Sequence, residues 1–370
     1  MTGKKKLTYS QAGVDYSRID PIKVMAQKAA RTTARHVAGA GFPEIEASRG
    51  ESAYVVDAGR FYLASITECL GTKVLVADLV SRITGRTHFD SLAQDTLAMA
   101  INDLITVGAK PLSVHAYWGL GGSGWLAGEP QMRDLIEGWK RTCDRARVAW
   151  GGGETPVLSG VVCAGTVDLA ASCVGIIQPK SRLSLGAKLS AGDAIVILES
   201  SGIHANGVTL ARKLADRLPE SYATRLSDGR FYGEALLDPT LIYSRVTEAL
   251  FSAGIQVHYM SNITGHGWRK IMRHPAAFTY RITQIPPVPP VLQFIREKAQ
   301  LDSSEAYGSL NMGAGFALFM PPADTSQALR IARRHGIKAH IAGHVETGAR
   351  QVVIDPLELT FKGESLDLRA

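Results

Sequence analysis

Short runs rich in β-branched and aromatic residues alternate with longer amphipathic stretches along this chain. That alternation restricts the fold more than any other feature. Strand-like runs fall at residues 61–66, 74–77, 112–117, 194–198, 278–282, 315–320 and 351–354. Apolar residues recur at helical spacing over 21–37, 91–107, 130–148, 208–218, 239–253, 290–299 and 325–335. A strand alternates its side chains between two faces, whereas a helix gathers an apolar stripe every three to four residues. More than one strand between some helices predicts α+β layers rather than a strict βαβ wheel. The segment 178–192 has the turn chemistry of a boundary: Gln178-Pro179-Lys180 follows an apolar run, and Gly192-Asp193 precedes a new strand. It divides the 370 residues into parts of nearly equal length, 1–180 and 181–370, each long enough to bury a core.

Composition removes several classes. With 45% hydrophobic and 20% charged residues the chain is not expected to be disordered. No apolar run approaches the roughly 18 residues of a membrane span, so no membrane partner is expected. The start, Met1-Thr2-Gly3-Lys4-Lys5-Lys6, has no apolar signal region. Cys69, Cys143, Cys163 and Cys173 form no C-x-x-C pair, so neither a disulfide framework nor a zinc site is expected, and a reducing cytoplasm fits. The net charge of +7 suits nucleic acid, anionic membranes or phosphorylated small molecules. Part of it sits at the N-terminus, where a solvated tail is the simple reading. The longest internal basic cluster, 141–147, is not interleaved with aromatics. No nucleic-acid partner is therefore expected, and a phosphorylated small molecule stays open.

Several segments carry candidate chemistry. The stretch 95–105 reads as a helix, with Leu97, Ile101, Leu104 and Ile105 on one arc of roughly 100°. Asp95, Asn102 and Asp103 share the opposite arc. Two carboxylates and an amide on one face suit a hard cation such as Mg²⁺; a solvated helix face has the same pattern. Gly151-Gly152-Gly153-Glu154-Thr155 reads as a glycine loop ending in an acid, open to a ligand or forming a plain turn. Asp168 lies in an apolar, strand-like run and needs a cation, hydrogen bonds or water. The loop 199–207, between a strand and a helix, points backbone N–H groups at an anion, with Ser201, His204 and Asn206 as further donors. A capped helix start would look alike. The segment 261–268 repeats this arrangement before a second helix; a lone His266 there reads most simply as structural.

Taken in order, these segments resemble the phosphoribosylformylglycinamidine cyclo-ligase (AIR synthetase) family over nearly the whole chain. The resemblance rests on Tyr9-Ser10-Gln11-Ala12-Gly13-Val14-Asp15, Gly71-Thr72-Lys73, the 95–103 helix and Gly108-Ala109-Lys110-Pro111. It continues through Gly152-Gly153-Glu154-Thr155, Asp168-Leu169-Ala170, Ser201-Gly202-Ile203-His204-Ala205-Asn206-Gly207 and 237–243. Ile263-Thr264-Gly265-His266-Gly267 and Asn311-Met312-Gly313 complete it. It implies two α+β domains, with the N-terminal sheets of two subunits joined into a barrel, hence a homodimer. It implies ATP and Mg²⁺, and a ring closure of purine biosynthesis in which a formamide oxygen is phosphorylated and an internal nitrogen displaces phosphate. By resemblance, Asp95, Asp103, Glu154 and Asp168 hold the metal, all meeting around one Mg²⁺-bound triphosphate. Glu68, Gly71, Thr72, Lys73, Asn102, Gly152, Gly153 and Thr155 hold the nucleotide. Ser201, Gly202, His204, Asn206, Gly207, Thr264 and Gly265 hold the phosphorylated substrate. Lys73, His204 and Asn206 stand nearest the chemistry.

The chain also departs from the family. Glu68-Cys69-Leu70-Gly71-Thr72-Lys73 stands where Asp-Gly-Val-Gly-Thr-Lys is usual, His266 displaces a glycine, and the glycine-rich segment expected at 39–53 is altered. These departures cluster in loops expected to touch substrate or nucleotide. They motivate two other readings: an ATP-dependent phosphotransferase acting on another phosphorylated amide or acid, and a non-catalytic nucleotide-binding protein.

Overall fold

Along Val167–Ile177 buried residues alternate with half-exposed ones, the signature of a strand with one face on a core. It is the middle strand, β5, of a five-stranded sheet. The others are β1 (Tyr54–Asp57), β2 (Tyr62–Cys69), β3 (Lys110–Leu120) and β4 (Ala149–Glu154), in the order β1-β2-β5-β3-β4. All neighbours are antiparallel except β3 and β4. The second sheet has seven strands. These are β6 (Ala194–Glu199), β7 (Tyr259–Asn262), β8 (Phe278–Ile282), β9 (Ala314–Met320), β10 (Ala339–Thr347), β11 (Gln351–Ile354) and β12 (Leu359–Lys362), in the order β12-β11-β8-β10-β6-β9-β7. This computed structural model describes residues 6–9, 11–13, 15–127 and 129–366. The charged start 1–5, with Ser10 and Val14 of the N-terminal signature, lies outside them. Lys6 is inside, and its ammonium pairs with Glu305 at 2.7 Å and Asp302 at 3.1 Å.

The helix Phe89–Ile105 is the pivot of the molecule. Every residue from Leu92 to Ile105 is buried, the mark of a helix surrounded by protein on all sides. Leu97, Ile101 and Leu104 join the core beneath the five-stranded sheet, while Ile105 packs with Val196, Leu198 and Phe316 of the second domain. The polar arc is not solvated, as the helix alone suggested. It docks on the segment 237–243. Gln94 Nε2 donates to the Thr240 carbonyl at 2.8 Å, and Asn102 Nδ2 donates to the Leu241 carbonyl at 2.8 Å. The Tyr243 N–H donates to Asn102 Oδ1 at 3.0 Å, and the Thr240 N–H donates to Asp95 Oδ1 at 2.7 Å.

Three local expectations are corrected. Residues 74–77 lie within the helix Lys73–Thr84: the buried set Lys73, Val74, Val76, Ala77 and Val80 keeps to one face at the helical period, and Gly85 caps the end at φ 71°. The glycine run 151–153 is not a loop but part of β4, paired with β3. Gly153 is required there, because a Cβ would sit 2.2 Å from the Ala116 carbonyl oxygen. The helix expected over 239–253 is confined to Ser244–Ser252, since the backbone groups of Thr240, Leu241 and Tyr243 are taken by the docking bonds above.

Candidate functional site

Between the two sheets lies a cavity of about 500 Å³. Its walls come from the C-terminal part of β2 (Ser65, Ile66, Glu68), the pivot helix (Met99, Asp103) and the turn Ser48–Ser52. The loop residues Asn206, Thr264, Gly265 and His266 add to them, as do Lys270, Arg273 and one side of the helix Tyr16–Arg31 (Tyr16, Lys23, Gln27). Carboxylates and cations face one another here. Glu68 and Asp103 are within hydrogen-bond contact; burial first, and then the charge of Asp103, push Glu68 up to about 8. Asp103 Oδ1 also accepts from Asn262 Nδ2 at 2.7 Å. Lys270 is brought down to about 8, mainly by burial and then by Arg273. Arg273 is anchored to the Gly50 carbonyl at 3.0 Å and to Ser52 Oγ at 2.8 Å.

The helix Tyr16–Arg31 is tied to this cavity by side chains at one end. Tyr16 stacks on His266 with ring centroids 3.8 Å apart, and the His266 ring nitrogen Nε2 meets Asp20 at 2.8 Å. His266 sits at φ 68°, a region that favours glycine. Burial brings its pKa down to about 4, against the opposing pull of Asp20.

The sequence-derived candidates separate into three groups. Glu68, Asp103, Asn206, Thr264 and Gly265 line the cavity together. A second group lies at the margin of the five-stranded sheet: Glu154, Thr155, Gly152, Gly153 and Asp168 are exposed. The Thr155 N–H donates to Glu154 Oε1 at 3.1 Å. Asp168 and Glu68 both raise the Cys69 thiol electrostatically, after burial, which puts Asp168 at the same end of the sheet as Glu68. Gly71 and Thr72 follow that strand end, and Thr72 Oγ1 meets Thr209 Oγ1 at 3.3 Å.

The third group forms an interdomain lock. Lys73 Nζ lies 2.6 Å from Asp95 Oδ2, with both side chains fully buried, and donates to the carbonyls of His204 at 3.0 Å and Asp238 at 3.2 Å. Ser201 Oγ donates to the Pro239 carbonyl at 2.7 Å. The Ser201 N–H donates to His204 Nε2 at 3.2 Å, and Asn311 Nδ2 donates to the Gly202 carbonyl at 2.9 Å. The Gly207 N–H is taken by Tyr9 Oη at 3.2 Å. His204 is buried and driven down to about 3 by burial and by the charge of Lys73, so it is a neutral acceptor. The expected meeting of Asp95, Asp103, Glu154 and Asp168 around one ion is thus not found within the chain. Asp95 is used by Lys73 and Thr240, Glu154 lies on an edge strand, and Asp103 alone of the four lines the cavity. Sequence reasoning missed Lys270, Arg273, Asn262 and Tyr16. The spacing of Arg269, Lys270 and Arg273 just after the 261–267 loop was the available signal.

Among the described residues no group of three His, Cys, Asp or Glu forms a metal cage. The touching pair Glu68 and Asp103 nonetheless offers oxygen donors only. Mg²⁺ keeps several waters and takes one or two carboxylates plus phosphate oxygens, so the pair fits that use.

A mixed α+β protein of two domains, with a polar cleft between a five-stranded and a seven-stranded sheet, defines the AIR-synthase-related class. The model described as AIR synthase related protein, N-terminal domain, matches residues 50–177, and its C-terminal counterpart matches 190–356. The chain belongs to this family. It is 34% identical over 333 residues to phosphoribosylformylglycinamidine cyclo-ligase of Pyrococcus furiosus, covering 89% of this chain and 92% of that one. It is 32% identical over 361 residues to the cyclo-ligase of Carboxydothermus hydrogenoformans, covering 95% and 99%. Among solved structures, AaThiL complexed with AMPPCP and TMP matches with a TM-score of 0.57 at 14% identity, over 85% of this chain and 90% of that one. Hydrogenase maturation protein HypE in complex with ATP matches with a TM-score of 0.59 at 18% identity, over 81% and 83%. These two likenesses show the shared fold.

Proposed function

We propose that this protein is an ATP-dependent cyclo-ligase converting formylglycinamidine ribonucleotide to aminoimidazole ribonucleotide. The observation that carries the reading is the interdomain cavity, where Glu68 and Asp103 face Lys270 and Arg273, in a chain a third identical to named cyclo-ligases over nine-tenths of its length. The formamide oxygen attacks the γ-phosphorus of ATP and ADP departs. The internal amidine nitrogen then attacks the formyl carbon, phosphate leaves, and loss of a proton completes the imidazole. An amide oxygen leaves poorly; as phosphate it leaves well.

The chain's contribution is positioning and charge complementarity. Glu68 and Asp103 would hold Mg²⁺, which neutralises phosphate charge when bound. Lys270 and Arg273 meet the phosphate of the substrate, and Asn206, Thr264 and Gly265 place the reacting amide. The Lys73–Asp95 lock keeps both walls in register. Glu154, Asp168 and the end of β2 extend the nucleotide side of the cleft. A cytoplasmic, homodimeric enzyme fits this reading, with the outer face of the five-stranded sheet as the subunit contact. No helix of the described residues is long and apolar enough to cross a membrane.

The test is turnover of purified protein with formylglycinamidine ribonucleotide, ATP and Mg²⁺, followed as aminoimidazole ribonucleotide. Asp103→Asn keeps an acceptor for Asn262 and should fold normally, yet lose at least tenfold in turnover. No product from the wild-type protein would reject the reading.

A further inference from the structure

Away from the interdomain cavity, two helices of the second domain enclose a groove of about 440 Å³ that shares no lining residue with that cavity. Gln327, Arg330, Ile331 and Arg334 project from one face of the helix Pro322–Arg334, at the i, i+3, i+4, i+7 spacing. Ala249 of the helix Ser244–Ser252 faces them, and His335 closes one end. Arg245 sits one turn before Ala249 on the same side. Arg147, in the turn before β4, also approaches: after burial, the charges of Arg245 and Arg147 are what hold His335 below its ordinary value.

Among the described residues, none of Arg147, Arg245, Arg330 and Arg334 makes an ion pair. The acids of the two helices are committed elsewhere: Glu248 to Arg182, and Asp324 Oδ2 to the N–H of Gln256 at 2.9 Å. Arg245 is half-buried in the first turn of its helix, where the helix dipole disfavours a cation. A half-buried guanidinium at the positive end of a helix, close to His335 at a groove lined by two more arginines, is a place where an anion lowers the energy. Arginine forks match phosphate oxygens in geometry. Ile331 and Ala249 supply an apolar floor, and the volume is that of a small-molecule site.

We propose that this groove binds a small organic polyphosphate of the nucleoside di- or triphosphate class, with its phosphates among Arg245, Arg330 and Arg334 and its flat apolar part over Ile331 and Ala249. The site is separate from the cleft where catalysis is placed, so it acts as an effector site.

Calorimetry on the full-length protein tests this, with inorganic tripolyphosphate, ADP and adenosine as the probes at two salt concentrations. The comparison is wild type against Arg330→Glu/Arg334→Glu. Both side chains are exposed, and an unchanged melting temperature checks the fold; Arg330→Gln/Arg334→Gln serves if charge reversal disturbs it. We expect the wild type to take up one more equivalent of tripolyphosphate and of ADP per chain than the variant, or to bind it at least tenfold more tightly. Affinity should fall with salt, adenosine should bind poorly, and the variant's turnover without effector should be unchanged. Equal stoichiometry and affinity in both proteins would overturn the proposal. So would binding of a short RNA at these arginines without binding of tripolyphosphate. A wild-type protein inactive on the purine precursor but still showing the difference would reject the cyclo-ligase reading and leave the groove intact.

Discussion

Lys73 is an ammonium with three donors and three acceptors: the Asp95 carboxylate and the carbonyls of His204 and Asp238. Those acceptors come from both domains, so one side chain closes the joint between them. Removing one partner of a buried pair leaves an uncompensated charge, which costs about 3–5 kcal/mol. Lys73→Met should therefore destabilise by that amount in urea unfolding, and a loss below ~1 kcal/mol would show the joint to be held elsewhere. Its neighbour His204 links the lock to pH. Its folded pKa of about 3 lies below the ordinary 6.5, so the unfolded chain binds the proton more readily between those values. The stability it supplies is complete above pH 6.5 and is lost progressively as the pH falls toward 3. Unfolding free energies at pH 7 and 5 should differ more in the wild type than in His204→Gln; equal slopes would show that His204 is not the group that titrates.

At the scale of elements, the helix Tyr16–Arg31 and the pivot helix Phe89–Ile105 are opposites. The first has no buried residue and touches the cavity through Tyr16, Lys23 and Gln27; the second is buried on every side. Backbone exchange follows local stability. Amides of Tyr16–Arg31 should exchange quickly, and those of Phe89–Ile105 only near global unfolding. A ligand that fills the cavity should slow the first set, and mass-spectrometric exchange with and without Mg-ATP and substrate reads this directly. An unaltered first helix would mean that it takes no part in binding. The pivot helix also shows what a sequence can and cannot disclose. Its apolar arc was legible, because Leu97, Ile101 and Leu104 follow a local period. The partner of its polar arc was not, because Asp95 and Asn102 are satisfied by backbone groups about 140 residues away. The same limit explains β4, whose glycines have turn chemistry locally and become a strand only through pairing with β3. The alternation of strand-like and helix-like runs pointed to α+β layering, and the motifs in their order brought Glu68, Asp103, Asn206, Thr264 and Gly265 into consideration. Lys270 and Arg273 escaped because a cation's role depends on which wall it faces.

At the scale of the whole molecule, the five-stranded sheet is packed on one side only. Ser172, Val174 and Ile176 of β5 share the face turned away from the pivot helix with Ser65 and Thr67 of β2 and His115 of β3. Val174 and Ile176 remain half-exposed there. A sheet with an uncovered, partly apolar face gains by pairing with a second copy, since burying such surface is worth roughly 25 cal/mol per Å². The double change Val174→Asp/Ile176→Asp adds charge at positions that reach no core, so each subunit should still fold. Light scattering after size exclusion should then move from dimer to monomer. Glu68 and Asp168 lie at the end of this same sheet, so separation of the subunits should also weaken Mg-ATP binding several-fold, while Lys73→Met should not alter the oligomeric state. A variant that stays dimeric would place the subunit contact on another surface. A monomer with undiminished nucleotide affinity would mean that each cleft is complete within one chain.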